Sequence, residues 1–352
     1  MNSEYLKILR ASVADRRDLF LSAASRLGAP ESNIEKDFWV CWTLDALFNG
    51  LDKGSPRLLF KGGTSLSKAY GLISRFSEDI DITVYREDIG QQVSALELEA
   101  LSKKKRQVRL DAIKAACQEY IRGRLCQQLN RIVNETLGAA GLDQPAVRFV
   151  LDEEDLDGQS LLFWYPSVMP GDAECVRAVK IESGAKSALD PNRPVIIRPY
   201  AGDDVPALTL DVPNVTTVYA ERTFWDKVII LHGTRCWFER REVLRHVGQR
   251  VSRHYYDVHR LVESDVAGRA ISDVDLATDC ARHARLFFGS PDLGLDKACA
   301  GSFMLTPVEG MLSDLRRDFE RMAGMIIGPV PGFEQVMDSI RRLESRINRP
   351  GA

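Results

Sequence analysis

Apolar residues recur along the chain with two different spacings, and each spacing predicts its own kind of element. Up to Pro213, short apolar runs bounded by turn residues predict strands. After Pro213, apolar residues recur at the i, i+3, i+4 spacing of a helix face. The chain is therefore expected to be of the α/β class, with a mixed sheet first and a mainly helical domain after it. The strand candidates are residues 57–60, 79–85, 146–151, 176–182, 195–198 and 208–212.

Helical patterns also occur before and inside the strand-rich part. Residues 32–49 begin with Ser32 and Glu35 at the spacing of a capping box and stop at Asn49-Gly50. A long charged helical pattern runs from about 95 to 137. We therefore predict a first domain of residues 1–213, with N-terminal helices and a helical insertion at about 95–137, and a second of residues 214–352. The helices expected in the second are 217–231, 254–262, 276–288, 308–327 and 333–347.

The composition changes this picture little but excludes several classes of protein. With 352 residues, 45% hydrophobic and 28% charged, the chain has the composition of an ordinary globular protein. It contains neither a signal-peptide pattern nor an apolar run long enough to cross a bilayer, so we expect a cytoplasmic protein without membrane association. Its seven cysteines include no Cys-x-x-Cys pair, which favours reduced thiols over disulfides or a zinc site.

The first candidate for chemistry is the turn after the strand at 57–60. Gly62 and Gly63 lack Cβ atoms, so their backbone can approach a phosphate, and the helix that follows begins with free N–H donors. Thr64 or Ser65 could donate a hydroxyl to that phosphate, or either could cap the helix. A Gly-Gly turn alone is more often only a turn, so this motif needs support from its neighbours.

That support comes from acidic residues on the following strand. Asp79 and Asp81 alternate with isoleucines, so both carboxylates are expected on one face of the strand. Carboxylate oxygens are the ligands that Mg²⁺ prefers in proteins. Two metal ions need more ligands than two aspartates supply, and Glu182 at the end of another strand is the candidate for the third. Each acid could also face solvent without any such role.

These motifs together resemble a known family. Residues 60–68 and 75–81 closely resemble the AbiEii/AbiGii family of nucleotidyltransferase-like toxins, which includes the MenT toxins. The resemblance extends from about residue 31 to the end of the chain. Thr64 stands where many nucleotidyltransferases have Ser, and Asp226 where the family's third motif commonly has Glu. The further similar segments are residues 34–39, 221–227, 253–257 and 319–331.

The resemblance implies an activity and assigns residues to it. It implies an enzyme that transfers NMP from NTP with Mg²⁺, or Mn²⁺ in its place, to an RNA acceptor such as the 3′ end of tRNA. Such transfer would block translation, so the protein would be a toxin of a phage-defence or abortive-infection system, restrained by a separately encoded antitoxin. The residues assigned are Gly62, Gly63, Thr64 and Lys227 for the nucleotide, Asp79 and Asp81 for the metal, and Lys227 and Asp257 as later active-site positions.

Elementary chemistry leaves alternatives for the last two residues. Lys227 could neutralise triphosphate oxygens, or it could be a surface lysine whose stem covers the core. Asp257 could orient Lys227 or the attacking hydroxyl, or it could pair with Arg253 one helical turn away.

The acceptor is also open at the level of sequence. The net charge of −3 means that RNA must be bound by a local basic patch. The strongest basic cluster could bind an RNA backbone or be a solvated helix face. Transfer to a protein or small molecule, and nucleotide binding without catalysis, are the alternative functions. The cluster comprises Lys103, Lys104, Lys105, Arg106, Arg109, Lys114, Arg122, Arg124 and Arg131.

Overall fold

The computed structural model describes residues 1–142, 146–169, 177–245 and 250–349. The predicted strand start at Val176 lies outside these residues. Two compact units are present. Unit 1 comprises Met1–Ala69, Phe76–Val93 and Lys103–Val218, and unit 2 comprises Tyr70–Arg75, Ser94–Ser102 and the chain from Tyr219 onward.

Unit 1 contains a seven-stranded mixed sheet in the order β3-β4-β5-β2-β1-β7-β6. The central strands β2 and β5 are parallel, as are β1 and β7, whereas the other neighbours are antiparallel. The α/β class predicted from the sequence is confirmed. The strands are β1 (Leu58–Lys61), β2 (Ile80–Val84), β3 (Arg148–Leu151), β4 (Ser160–Trp164), β5 (Ala178–Gly184), β6 (Asn192–Ile197) and β7 (Val212–Val218).

Helices account for most of the remaining described chain. Helices α5 and α8 to α13 belong to unit 2, and the others belong to unit 1. None of the described helices is both long and apolar enough to cross a membrane. The helices are α1 (Glu4–Arg10), α2 (Val13–Leu27), α3 (Glu31–Asp45), α4 (Gly62–Lys68), α5 (Ala95–Ala100), α6 (Lys103–Tyr120), α7 (Cys126–Ala140), α8 (Ala220–Arg241), α9 (Ser252–Glu263), α10 (Val266–Ser272), α11 (Val274–Phe287), α12 (Glu309–Ala323) and α13 (Phe333–Ile347).

Helix α3 packs on one face of the sheet through aromatic side chains. The ring of Trp42 stacks on Phe163 of β4 at 5.2 Å, and Phe163 stacks on Phe149 of β3 at 4.4 Å. Trp39 meets Phe163 edge-on at 5.7 Å. Because side chains alternate along a strand, burying this aromatic face turns Asp81 and Glu182 toward the other one.

Unit 2 has an aromatic core of its own. Trp225 of α8 stacks on Phe303 at 5.7 Å and meets Phe224 edge-on at 5.2 Å. The Trp225 indole N–H donates to the backbone oxygen of Ala270, so the polar edge of this buried ring has a partner. The core therefore holds α8 against α10.

Several local predictions differ from the structure, among them the strand predicted at 208–212, of which only Val212 lies in a strand. The capping box is wrong, because Pro30 is the N-cap of α3 and Glu35 instead accepts hydrogen bonds from the backbone of Val168 and Met169. Strand β7 continues to Val218, past the helix start predicted at Thr217. Strand β4 was not predicted, because its short apolar run follows the acidic, glycine-containing segment 152–159 and is followed by Pro166.

Candidate active site

The glycine turn and Asp81 lie in direct contact. Gly62 has φ +77°, and a Cβ at this position would lie 2.0 Å from Oδ2 of Asp81. Glycine is favoured here for two reasons: other residues rarely adopt this positive φ, and a Cβ atom would clash with the Asp81 carboxylate. The turn that follows β1 is thus shaped around the acid on β2.

Two hydroxyls hold this turn together from inside. The Thr64 hydroxyl donates to the backbone oxygen of Asp79 and lies 2.8 Å from Oγ of Ser77. Ser65 donates to the backbone oxygen of Gly62 at 2.9 Å. Both residues are fully buried, and neither caps α4, whose N-cap Lys61 receives no side-chain bond. The hydroxyls join the turn to the segment that carries the acids, and a phosphate contact for either one stays a prediction.

Glu182 lies beside Asp81 on the neighbouring strand. In the parallel pairing of β2 with β5, Asp81 is the register partner of Glu182, so the two side chains leave the same face of the sheet. Asp79 comes directly before β2. The structure therefore brings the three predicted acids together where the start of β2 lies beside the second half of β5, next to Gly62.

The acids repel one another. Burial raises the pKa of Asp79, and the charges of Glu78, Glu182 and Asp81 raise it further, to about 6. Lys36 acts in the opposite direction but does not compensate. A carboxylate whose ionisation is opposed by like charges is typical of a functional site.

Three lysines near the acids were missed in the sequence. Lys61 Nζ is 3.6 Å from Oδ1 of Asp81, and Lys180 Nζ is 3.4 Å from Oε1 of Glu182. Lys36 of α3 is buried, with its Nζ 2.5 Å from Oε2 of Glu78. Lys61 and Lys180 approach the acids through strand register, which sequence does not reveal. Lys36 could have been suspected from the sequence, because it is a charged residue within a helix pattern rich in large apolar residues.

The donor chemistry of this site fits Mg²⁺ or Mn²⁺. Asp79, Asp81 and Glu182 offer only carboxylate oxygens, and hard oxygen ligands suit these ions. Within the described ranges, no three His, Cys, Asp or Glu side chains are already arranged as a metal cage. Mg²⁺ commonly binds one or two protein carboxylates and takes its other ligands from water and substrate phosphates, so a complete cage is not required.

Lys227 and Asp257 form a different kind of cluster, within unit 2. Arg75 donates to both oxygens of Asp257, at 2.8 Å each, and Lys227 Nζ lies 2.8 Å from Oδ2. Asp257 is 0% exposed and Lys227 is 5% exposed. Sequence reasoning missed Arg75 as the partner and considered Arg253 instead. We call these three residues the ion triad.

Each charge in the ion triad has an opposite charge beside it. Burial raises the pKa of Asp257, but the Arg75 and Lys227 charges lower it by more, so it lies well below its usual range. Burial lowers the pKa of Lys227, and Asp257 partly opposes that shift. Lys227 is therefore not a surface lysine, and its assignment with Asp257 to the reaction stays a prediction.

Three residues of the basic cluster have polar partners within unit 1. Lys114 contacts Asp157 at 2.6 Å, Arg131 contacts Asp52 at 2.6 Å, and Arg109 donates to Oε1 of Gln91 at 2.7 Å. These contacts neutralise or occupy three of the nine cations, so they favour a structural role for this part of the cluster.

A comparison with protein families agrees with the motifs. The model of the family described as "Nucleotidyl transferase AbiEii toxin, Type IV TA system" matches residues 45–339. The similarity inferred for residues 34–39 lies outside that match. A solved structure described as MenT4, nucleotidyltransferase toxin Rv2826c from Mycobacterium tuberculosis H37Rv, aligns at 16% identity and a TM-score of 0.42. That alignment covers 95% of this chain and 99% of the other, but the similarity is weak. No curated protein matches the sequence.

Proposed function

Because the chain belongs to the AbiEii family of nucleotidyltransferase toxins of type IV toxin–antitoxin systems, we propose that it transfers NMP from an NTP to the 3′ end of an RNA, with tRNA as the acceptor. The single observation that carries the reaction is the contact between Gly62 and Asp81, with Glu182 beside it in register. A backbone that can approach phosphate and a set of carboxylates meet there at one point of the sheet.

The residues of the turn would bind and orient the triphosphate. Gly62 and Gly63 let the backbone lie close to the phosphate oxygens. Lys61 lies beside Asp81, with its side chain 29% exposed, and would pair with those oxygens as a point charge. Because phosphoryl transfer depends mainly on positioning and charge, this arrangement supports the reaction without a protein nucleophile.

The three acids would hold the metal. Asp79, Asp81 and Glu182 supply the carboxylates, and their mutual repulsion favours a divalent cation among them. A bound divalent ion supplies positive charge that lowers the pKa of an attacking hydroxyl and neutralises pyrophosphate. The Lys36 contact with Glu78 keeps one neighbouring acid paired and steadies the segment before Asp79.

The biological consequence follows from the acceptor. A nucleotide added to the 3′ end of tRNA blocks aminoacylation, which stops translation and growth. A separately encoded antitoxin would restrain this activity, in keeping with the family's place in toxin–antitoxin systems.

The experiment is a labelling assay with purified protein, tRNA, Mg²⁺ and each of the four radiolabelled NTPs. Wild type should label tRNA with one or more nucleotides, whereas Asp81→Asn should reduce labelling by about 10⁴-fold through lost metal binding. Asp314→Asn is the matched control, since Asp314 is a half-buried acid on α12 of unit 2 that contacts Arg317.

Other results would redirect the proposal. Unlabelled RNA together with labelled protein or metabolites in a cell lysate would show a different acceptor. If Asp81→Asn arrests growth as strongly as wild type, nucleotide transfer is not the basis of toxicity.

A further inference from the structure

An open cleft of about 440 Å³ lies in unit 1, where β3 begins, β4 ends and β5 begins. Its lining includes Arg148, Trp164, Tyr165, Ser167 and Arg177. The site residues discussed above are not among them. The cleft therefore needs an explanation of its own.

Trp164 gives the cleft an accessible aromatic surface. It is 40% exposed, although its neighbour Phe163 is fully buried in the aromatic core. The residue opposite Trp164 on β5 is Ala178, whose small side chain leaves space beside the indole. A large aromatic ring kept accessible at a cleft is typical of a binding surface.

Strand register connects the cleft to the acids. Arg148, Trp164 and Ala178 form one cross-strand row, and Glu182 and Asp81 lie in a second row on the same face. At about 3.3 Å per residue and about 4.8 Å between strands, the backbone of Trp164 lies about 14 Å from that of Glu182. About four nucleotides, stacked at about 3.4 Å each, cover this distance.

The charges along this face suit a polyanion. Arg148 and Arg177 line the cleft. Lys180, between the two rows on β5, is paired with Asp152 and Glu182, so the two arginines supply the positive charge at the cleft. Guanidinium groups bind phosphate oxygens, and an aromatic ring beside them can stack on an unpaired base. A duplex offers no free base face, so this combination favours a single strand.

We propose that this cleft binds the unpaired 3′ end of the RNA acceptor, with Trp164 stacking on a base about four nucleotides from the reacting end and Arg177 contacting a phosphate. This inference rests on the proposed function for its choice of RNA and deepens it by naming the acceptor site. The acceptor chain then runs along the sheet face from the cleft toward Glu182 and Asp81.

The first test measures binding without NTP, by fluorescence anisotropy of a short single-stranded RNA labelled at its 5′ end. Trp164→Ala should weaken binding by about tenfold, and Trp164→Phe should restore most of the affinity because it keeps a stacking ring. Phe288→Ala is the matched control, since Phe288 is an exposed aromatic residue of unit 2. Circular dichroism of each variant checks that it folds.

The second test examines the phosphate contact. Arg177→Ala should weaken binding of every single-stranded RNA sequence alike and reduce the slope of log affinity against log salt by about one. Arg321→Ala, an exposed arginine of α12, should leave that slope unchanged. A photoreactive base placed about four nucleotides from the 3′ end should crosslink to the peptide that contains Trp164.

The outcomes separate this inference from the proposed function. Equal RNA affinities of wild type, Trp164→Ala and Arg177→Ala would overturn the cleft as the acceptor site, even if wild type transfers nucleotides to tRNA. Failure of wild type to bind single-stranded RNA, or equal binding of a blunt duplex, would overturn it as well. If wild type labels no RNA but Trp164→Ala still weakens RNA binding, the cleft is supported and the proposed transfer reaction fails.

Discussion

Asp79 and Asp257 are carboxylates withdrawn from solvent in different units, and their pKa values move in opposite directions. Asp79 lies among Glu78, Asp81 and Glu182, and its pKa rises to about 6. Asp257 lies between two cations and its pKa falls far below the usual range. Burial opposes ionisation of both, so the sign of the neighbouring charge decides the outcome.

The two carboxylates differ in whether the protein itself supplies enough positive charge beside them. In the ion triad the Asp257 carboxylate has two cationic partners from its own unit, Arg75 and Lys227, so this carboxylate needs no metal ion as a partner. The four acids Glu78, Asp79, Asp81 and Glu182 outnumber the three lysines beside them, which are Lys36, Lys61 and Lys180. A divalent cation would neutralise the remaining negative charge. Negative charge concentrated at a glycine turn therefore favours a bound cation there, whereas the Asp257 carboxylate is already paired within the protein.

The largest effect is expected from Asp257→Ala, which leaves Lys227 and Arg75 buried without their anion. The free energy of unfolding should fall by about 3–5 kcal/mol, as measured by urea denaturation. Lys227→Met should cost less, about 1–3 kcal/mol, because both Arg75 bonds to Asp257 remain. If Lys227→Met reduces nucleotide transfer far more than its stability loss explains, Lys227 takes part in the reaction.

A pH titration tests the opposite behaviour of Asp79. The folded protein binds this proton more tightly than the unfolded chain does, so metal-free wild type should lose stability as pH rises from about 4 through about 6. The loss should be about 2–3 kcal/mol, and Asp79→Asn should remove it. Denaturation in EDTA at several pH values measures both proteins, and equal pH slopes would contradict like-charge crowding at Asp79.

Gly62→Ala tests whether the turn is shaped around Asp81. It should cost about 1–2 kcal/mol more than Gly90→Ala. Both glycines have positive φ, but a Cβ at Gly90 meets nothing within 4 Å, whereas one at Gly62 meets the Asp81 carboxylate. Thermal unfolding of the two variants isolates that contact, and equal losses would mean that Asp81 can simply move away.

The smallest effect is expected from Lys114→Ala, which breaks an ion pair of similar length to those in the ion triad. Lys114 and Asp157 are 2.6 Å apart, but their side chains are 31% and 68% exposed. Solvent screens this pair, so the change in unfolding free energy should stay below about 0.5 kcal/mol. A loss as large as that of Asp257→Ala would show that burial does not explain the difference between the clusters.

Local sequence was sufficient for several features of the fold and site. The alternation around Asp81 predicted a strand with acids on one face, and the apolar spacing after Pro213 predicted most of the helices after that residue, although α10 was missed. The same local view failed at Glu35, whose capping-box spacing was overridden by hydrogen bonds to a distant loop. Tertiary partners can replace a local cap because they satisfy the same backbone and carboxylate groups.

The amino-acid sequence by itself determined the α/β class, the family and the acidic residues beside the glycine turn, because these depend on residue types at short spacing. Only the tertiary structure placed Glu182 beside Asp81 and gave Asp257 to Arg75 instead of Arg253. These pairings join residues that are far apart in the chain, and strand register and helix packing decide them. Burial likewise sets how strongly each charge acts, since it depends on what the rest of the protein packs around that residue.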